Sequence, residues 1–362
     1  MKLNRRIAKS LVICMMAAVL TGCNEDNDIN NADVTQEVKT KESKEIKQKL
    51  TTSNGSKHIS FISQKHIKFW DAIVLNYIDK EYNATTIKKG NIRLYTKANK
   101  DYAQKWFEEL EASYKVLKEI LTGKDEDVLE TQYEEFKKYY DNTDKMYTYV
   151  LSIDDEYDSK VDGNYKIRQY YALADDVRSY TILLKEYIYM LKGNIEFYTE
   201  DKDNKKKDDK SGDKIVYADN SLAMTYSIVT DMKFRDVVSD RYEKKAKCSI
   251  KGLDNKKALK KATNYKKYWN EEKQDNYDVL KEYLKGEHKD ILKDQDNAFI
   301  DFVDASIKLH GRLLLDTKIY TSLYKNNIKV ENQLYKGEQL MKYNTLLVEY
   351  YYAISGKVND KK

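Results

Sequence analysis

The 362-residue chain reads as an all-α protein, one or more elongated up-and-down helical bundles placed after a lipoprotein signal peptide and a disordered tether. Three observations predict this class. From about residue 57 onward, apolar side chains recur at steps of three and four, the period of a helix with one buried face, and nowhere sustain the alternation of a strand. Proline is absent from all 362 residues, where about 5% is usual, so no helix is broken by a missing amide or a ring clash. Charged residues make up 35% of the chain in mixed sign, yet aromatic residues reach 12%, which separates it from disordered sequences poor in aromatics.

Taken in order, the chain opens with Lys2, Arg5, Arg6 and Lys9 and no acid, followed by the uncharged apolar run Leu11 to Leu20. That run is shorter than the roughly 20 residues a membrane-spanning helix needs and fits the core of a secretory signal, about 7–15 residues. Leu20-Thr21-Gly22-Cys23 then has the form of a lipobox, with small residues before a cysteine. Cleavage before Cys23 and acylation of its thiol are expected, because two or more acyl chains anchor a protein firmly where one does not. Losing residues 1–22 removes four positive charges and no negative one, so the formal charge falls from +5 to +1 (5 − 4). A near-neutral mature chain lacks the basic footprint of nucleic-acid binding, and no nucleic-acid partner is expected.

Residues 23–56 are polar and read as a flexible tether, with an end-to-end distance on the order of 30 Å. The predicted helical faces follow. Ile59, Ile62, His66, Phe69, Trp70, Ile73 and Tyr77 form the first; Tyr102, Trp106, Leu110, Tyr114, Leu117 and Leu121 the second, closed by Gly123 as a left-handed cap. Leu129, Tyr133, Phe136, Tyr140, Tyr147 and Val150 form the third. The fourth is the clearest, running from Ile167 to Ile195 in near-heptad rhythm, with Val177, Leu184 and Leu191 expected in one seam and Lys185 and Lys192 expected to point outward.

Glu200 to Lys214 is a charge run without an apolar residue, predicted as a solvated loop between helical subdomains 57–199 and 215–362. The second subdomain carries faces through Val216 to Tyr242, Tyr265 to Leu284, Phe299 to Leu323, and Leu334 to Ile354. Gly90, Gly123 and Gly163 stand 33 and 40 residues apart, a spacing reminiscent of helical solenoids. The tetratricopeptide signature is absent around Trp106, however, and long helices joined by polar turns suit bundles better. With 32 tyrosines in the chain, the helical seams must hold hydroxyls that seek partners, so a semi-polar core is expected.

No catalytic, cofactor-binding or metal-binding residues are predicted. His58, His66, His288 and His310 form no Glu-x-x-His or His-Glu-x-x-His pair, and a calcium loop begun at Asp158 would place Lys160 and Gln169 where oxygen ligands are required. There is no nucleophile elbow or phosphate loop. Asp175, Asp176 and Arg178 are read as surface ion-pairing residues, and Cys248, alone among lysines, as an ordinary residue. With Cys14 lost with the signal and Cys23 acylated, no intramolecular disulfide is expected.

Phe69-Trp70-Asp71-Ala72-Ile73-Val74-Leu75-Asn76-Tyr77 resembles the opening helix of the YiiG-like bacterial lipoproteins, and Tyr343-Asn344-Thr345-Leu346-Leu347-Val348-Glu349-Tyr350 resembles their closing helix. Tyr350-Tyr351 stands here where that family carries a second Tyr-Asn pair. The family's function is uncharacterised, and the resemblance implies an all-helical body without catalytic residues to carry over.

The expected function is a non-catalytic, membrane-anchored envelope lipoprotein, attached to the bilayer through Cys23 and binding an envelope protein or glycan on the extracytoplasmic side. The alternative is a carbohydrate- or cell-wall-active enzyme using paired carboxylates. Two convergent carboxylates in a deep cleft would favour the enzyme.

Overall fold

The computed structural model describes residues 67–84, 92–150, 164–200, 248, 250, 252–313 and 328–355, all within one compact unit spanning residues 46–362. These residues form helices and their connections, with no strand among them, so the chain is an all-α bundle. Two short helices, α1 (Ile67–Val74) and α2 (Tyr77–Ala84), precede six long ones: α3 (Ile92–Ile120), α4 (Lys124–Val150), α5 (Asn164–Lys192), α6 (Asn255–Tyr283), α7 (Glu287–Leu313) and α8 (Ile328–Ser355). Cys23, the tether, the stretch Asp154 to Gly163, the charge run after Glu200 and the predicted helix through Val216 to Tyr242 lie outside the described residues.

The predicted faces form the core. Phe69, Trp106, Leu110, Leu117, Leu129, Phe136, Leu280, Phe299 and Leu347 are all buried. Gly123 and Gly286 follow α3 and α6 with φ of 58° and 56°, a left-handed backbone that an L side chain rarely adopts. Asp254 caps α6, its carboxylate accepting from the Lys257 amide.

The long helices fall into two triplets of matching length: 29, 27 and 29 residues for α3 to α5, then 29, 27 and 28 for α6 to α8. The triplets also align in sequence at a shift of 163 residues (269 − 106 for Trp106 and Trp269). At that shift Val116-Leu117-Lys118-Glu119 meets Val279-Leu280-Lys281-Glu282, Gly123 meets Gly286, and Gln132 meets Gln295. Phe136 meets Phe299, and Leu183-Leu184 with Glu186-Tyr187 meets Leu346-Leu347 with Glu349-Tyr350, all without a gap.

Packing obeys the same relation. In the first triplet α3 lies along α5, in the second α6 lies along α8, and the two middle helices, α4 and α7, lie along each other. Hydrogen bonds across this seam are reciprocal. Gln132 Nε2 donates to Ser306 Oγ at 2.7 Å, and Gln295 Nε2 donates to Thr143 Oγ1 at 2.7 Å; Thr143 is the counterpart of Ser306. The Tyr187 hydroxyl donates to the Ser306 carbonyl at 3.4 Å, and the Tyr350 hydroxyl to the Thr143 carbonyl at 3.4 Å. Contacts in which i meets j′ and i′ meets j are the mark of an isologous two-fold interface. The six long helices are thus two copies of a three-helix unit, related by an approximate two-fold axis through the α4/α7 seam.

Candidate functional site

A cleft of about 870 Å³, including open solvent at its mouth, lies on this axis. It takes its walls from α4, α5, α7 and α8, and most of its lining comes in repeat-related pairs: Phe136 and Phe299, Tyr139 and Phe302, Tyr180 and Tyr343, Leu183 and Leu346. Its aromatic rings repeat their geometry as well. Phe136 sits 4.6 Å from Tyr180, and Phe299 sits 4.3 Å from Tyr343. Across the axis Phe136 meets Phe302 at 5.3 Å, as Phe299 meets Tyr139 at 5.6 Å. Edge-on contacts join Tyr180 to Phe302 at 5.0 Å and Tyr343 to Tyr139 at 6.0 Å. Centroid separations in this range, with offset or edge-on rings, are the favourable arrangements for aromatic pairs.

The polar lining is less symmetric. Asp175, Asp176 and Ser179 come from α5; Gln339, Lys342, Thr345 and Glu349 come from α8. Among the described lining residues the formal charge is −2, from three carboxylates and one amine. The Tyr139 hydroxyl donates to Asp176 Oδ2 at 3.2 Å, and burial, reinforced by the negative charge of Asp176, holds its pKa far above the ordinary phenol value. Burial does the same for Tyr180 and Tyr343, so both remain neutral hydroxyls. These two side chains are 2% and 1% exposed, and neither hydroxyl has a hydrogen-bond partner. Leaving such a group buried and unsatisfied costs about 1–3 kcal/mol, and the same cost recurs at both repeat positions.

The structure moves several residues singled out from the sequence. Asp175 and Asp176 line the cleft, and Arg178 pairs with Asp79, its Nη2 2.8 Å from Oδ2. Burial opposes the charge on Asp79, but the Arg178 guanidinium outweighs it and holds the carboxyl below the ordinary carboxylate range.

Lys185, expected in solvent, is 1% exposed and donates to Glu109 Oε1 at 2.5 Å and to the Glu196 carbonyl at 2.7 Å. Glu109 also accepts from the amides of Tyr198 and Thr199 and from the Thr199 hydroxyl. Burial lowers the Lys185 pKa against the pull of Glu109. Leu191, expected in the seam, is 36% exposed. Leu129, Tyr133, Phe136, Tyr147 and Val150 of the predicted α4 face are buried, Tyr140 packs partly exposed against the core, and Tyr139 joins the buried face beside it.

His310 is buried with Nδ1 3.0 Å from Asn332 Oδ1, and burial drives its pKa down to about 3. His288 stacks on Tyr149. Cys248 is half-buried, and desolvation raises its thiol pKa despite Lys261 nearby. Among the described residues no group of His, Cys, Asp and Glu is arranged to hold a metal ion.

The cleft escaped sequence reading because its walls come from both halves. Its signal was present as the 163-residue self-similarity, far longer than the intervals between glycines. Compared with protein-family models, with curated proteins and with solved structures, the chain finds no match.

Proposed function

We propose that the chain is a lipoprotein of a bacterial envelope, anchored to the bilayer through acylated Cys23 and facing the extracytoplasmic side, whose helical body is non-catalytic and captures a ligand in the axial cleft. The observation that carries the binding part is the cleft itself, where two repeat-related tyrosine hydroxyls are buried without partners in an aromatic wall. A ligand supplying those hydrogen bonds would relieve a cost the free protein bears twice. The anchoring part rests on the lipobox; no described helix is long and apolar enough to cross a membrane. Cys23→Ser is expected to release the protein from the membrane fraction and abolish labelling by a fatty-acid analogue. Labelling as strong as in the wild type would overturn the anchor.

The competing reading, a carbohydrate- or wall-active enzyme, draws on Asp175, Asp176 and Glu349 sharing one cleft. Release of reducing ends from polysaccharide or peptidoglycan, lost in Asp176→Asn and Glu349→Gln, would establish it in place of the binding reading.

A further inference from the structure

The floor of the cleft is a cluster of six rings, Phe136, Tyr139 and Tyr180 with Phe299, Phe302 and Tyr343, none more than 6% exposed. Their centroids stand 4.3 Å apart at the closest, for Phe299 and Tyr343, and 5.0 Å apart for the edge-on pair Tyr180 and Phe302. A flat ring is the shape that joins such a cluster at the same spacings. An ion carried to that depth would exchange its hydration for ring carbons, so the part of the ligand that reaches the floor is uncharged.

Two groups on the floor lack a partner. Tyr180 and Tyr343 are repeat counterparts, and each keeps a neutral hydroxyl with no hydrogen-bond partner among the described residues. A buried donor is left unmet less often than an acceptor is left under-used, so what each O–H calls for first is an acceptor. On an uncharged flat ring that acceptor is a carbonyl oxygen, which receives hydrogen near the plane of its own C=O. The approximate two-fold axis exchanges the two hydroxyls, and a ligand that answers both carries its acceptors on opposite edges. Resting on the reading of the cleft as a binding site, we propose that its ligand is an uncharged flat ring with a carbonyl on each of two opposite edges, the chemistry of a para-quinone.

Ligand-observed NMR titration of the mature chain, residues 23–362 carrying Cys23→Ser so that no acyl chain or bilayer competes, tests this. The probes are tetramethyl-1,4-benzoquinone, whose fully substituted ring does not add to the Cys248 thiol, p-xylene, a ring without acceptors, and cyclohexane-1,4-dione, two carbonyls without a flat ring. The quinone is expected to bind best, p-xylene more weakly and the dione not measurably. Tyr180→Phe and Tyr343→Phe should each weaken the quinone about three- to tenfold, the scale of one hydrogen bond, and leave p-xylene unchanged. Each should also raise the melting temperature of the free protein by a few degrees, because it removes an unmet hydroxyl. A tyrosine with a merely structural role would instead lower stability and affinity together. Ser179→Trp, at a partly exposed lining position, should block all binding. Quinone binding that is absent, no tighter than that of p-xylene, or untouched by Ser179→Trp would overturn the proposal, and higher melting temperatures in the two Phe variants would then still keep the cleft as a binding site. Phe variants melting at or below the wild-type temperature would overturn that reading itself and the proposal with it, while the anchor is judged separately by fatty-acid labelling.

Discussion

The two halves of the bundle share a plan and differ in how each satisfies its buried polar groups. Glu109 and its counterpart Glu272 are both buried, but the position facing Glu109 is Lys185, whereas the corresponding position in the second half is Val348. The first half adds Asp79 with Arg178 and the strap of residues 194–200. The second joins α6 to α8 through Asn276 Nδ2 donating to Asn344 Oδ1 at 2.8 Å, and places a buried lysine, Lys273, against Asp296 at 2.8 Å. Lys273 stands where the first half has Leu110. Repeated apolar packing keeps the helices in the same arrangement while their buried charges have been redistributed. A fold set by area burial tolerates such exchange as long as every buried charge keeps a partner.

The largest expected effect is at the pair unique to the first half. Lys185→Met leaves Glu109 without its cation and should cost about 3–5 kcal/mol in denaturant melts, while Glu109→Gln with Lys185→Met should recover much of the loss. A silent single variant would erase the distinction between the halves. Next is a pH effect confined to the second half, since His310 occupies the position of Tyr147. Its folded pKa of about 3 lies below the unfolded value near 6.5. Its contribution is therefore fully present above pH 6.5 and lost as pH falls toward 3. Between pH 6.5 and 4 this amounts to roughly 3 kcal/mol. Glu338, raised to about 7 by burial, acts in the opposite sense, losing stability as pH rises from its unfolded value toward 7. The difference between wild type and His310→Phe across pH isolates the histidine; parallel curves would contradict its buried neutral state.

A smaller effect is expected at Gly337, the counterpart of Ala174, where an added Cβ would lie 2.5 Å from the Tyr265 ring. Gly337→Ala should cost about 1–3 kcal/mol by overpacking, although alanine is the better helix former by about 1 kcal/mol. A stabilised variant would show that the ring yields freely. The smallest effects probe the symmetry itself. Gln132→Met and Gln295→Met each remove one of the reciprocal seam hydrogen bonds, the second also the 3.2 Å bond from Gln295 Nε2 to the Tyr350 hydroxyl, and each should cost about 1–2 kcal/mol. Losses differing severalfold between them would break the two-fold description of the seam.

By itself the sequence determined the all-α class, the helical faces and the glycine turns, because proline absence, the three-to-four period and left-handed caps are local properties of a chain. Gly123 and Gly286 end their helices where residue type alone predicts. It could not phase α5 correctly, because a stripe argument assumes one buried face. Every residue from Thr181 to Met190 is buried, as α5 packs on α3 and α4 and the 194–200 segment reaches Glu109 and Lys185. Heptad spacing therefore placed Lys185 in solvent when tertiary packing gave it Glu109, and kept Leu191 in the seam when that burial ends at Met190. Likewise, long helices of one period carry no label saying which lies along which. Only the packing brought α4 against α7, and so brought Asp175, Asp176, Tyr180, Tyr343 and Glu349 from two distant stretches of chain to one cleft.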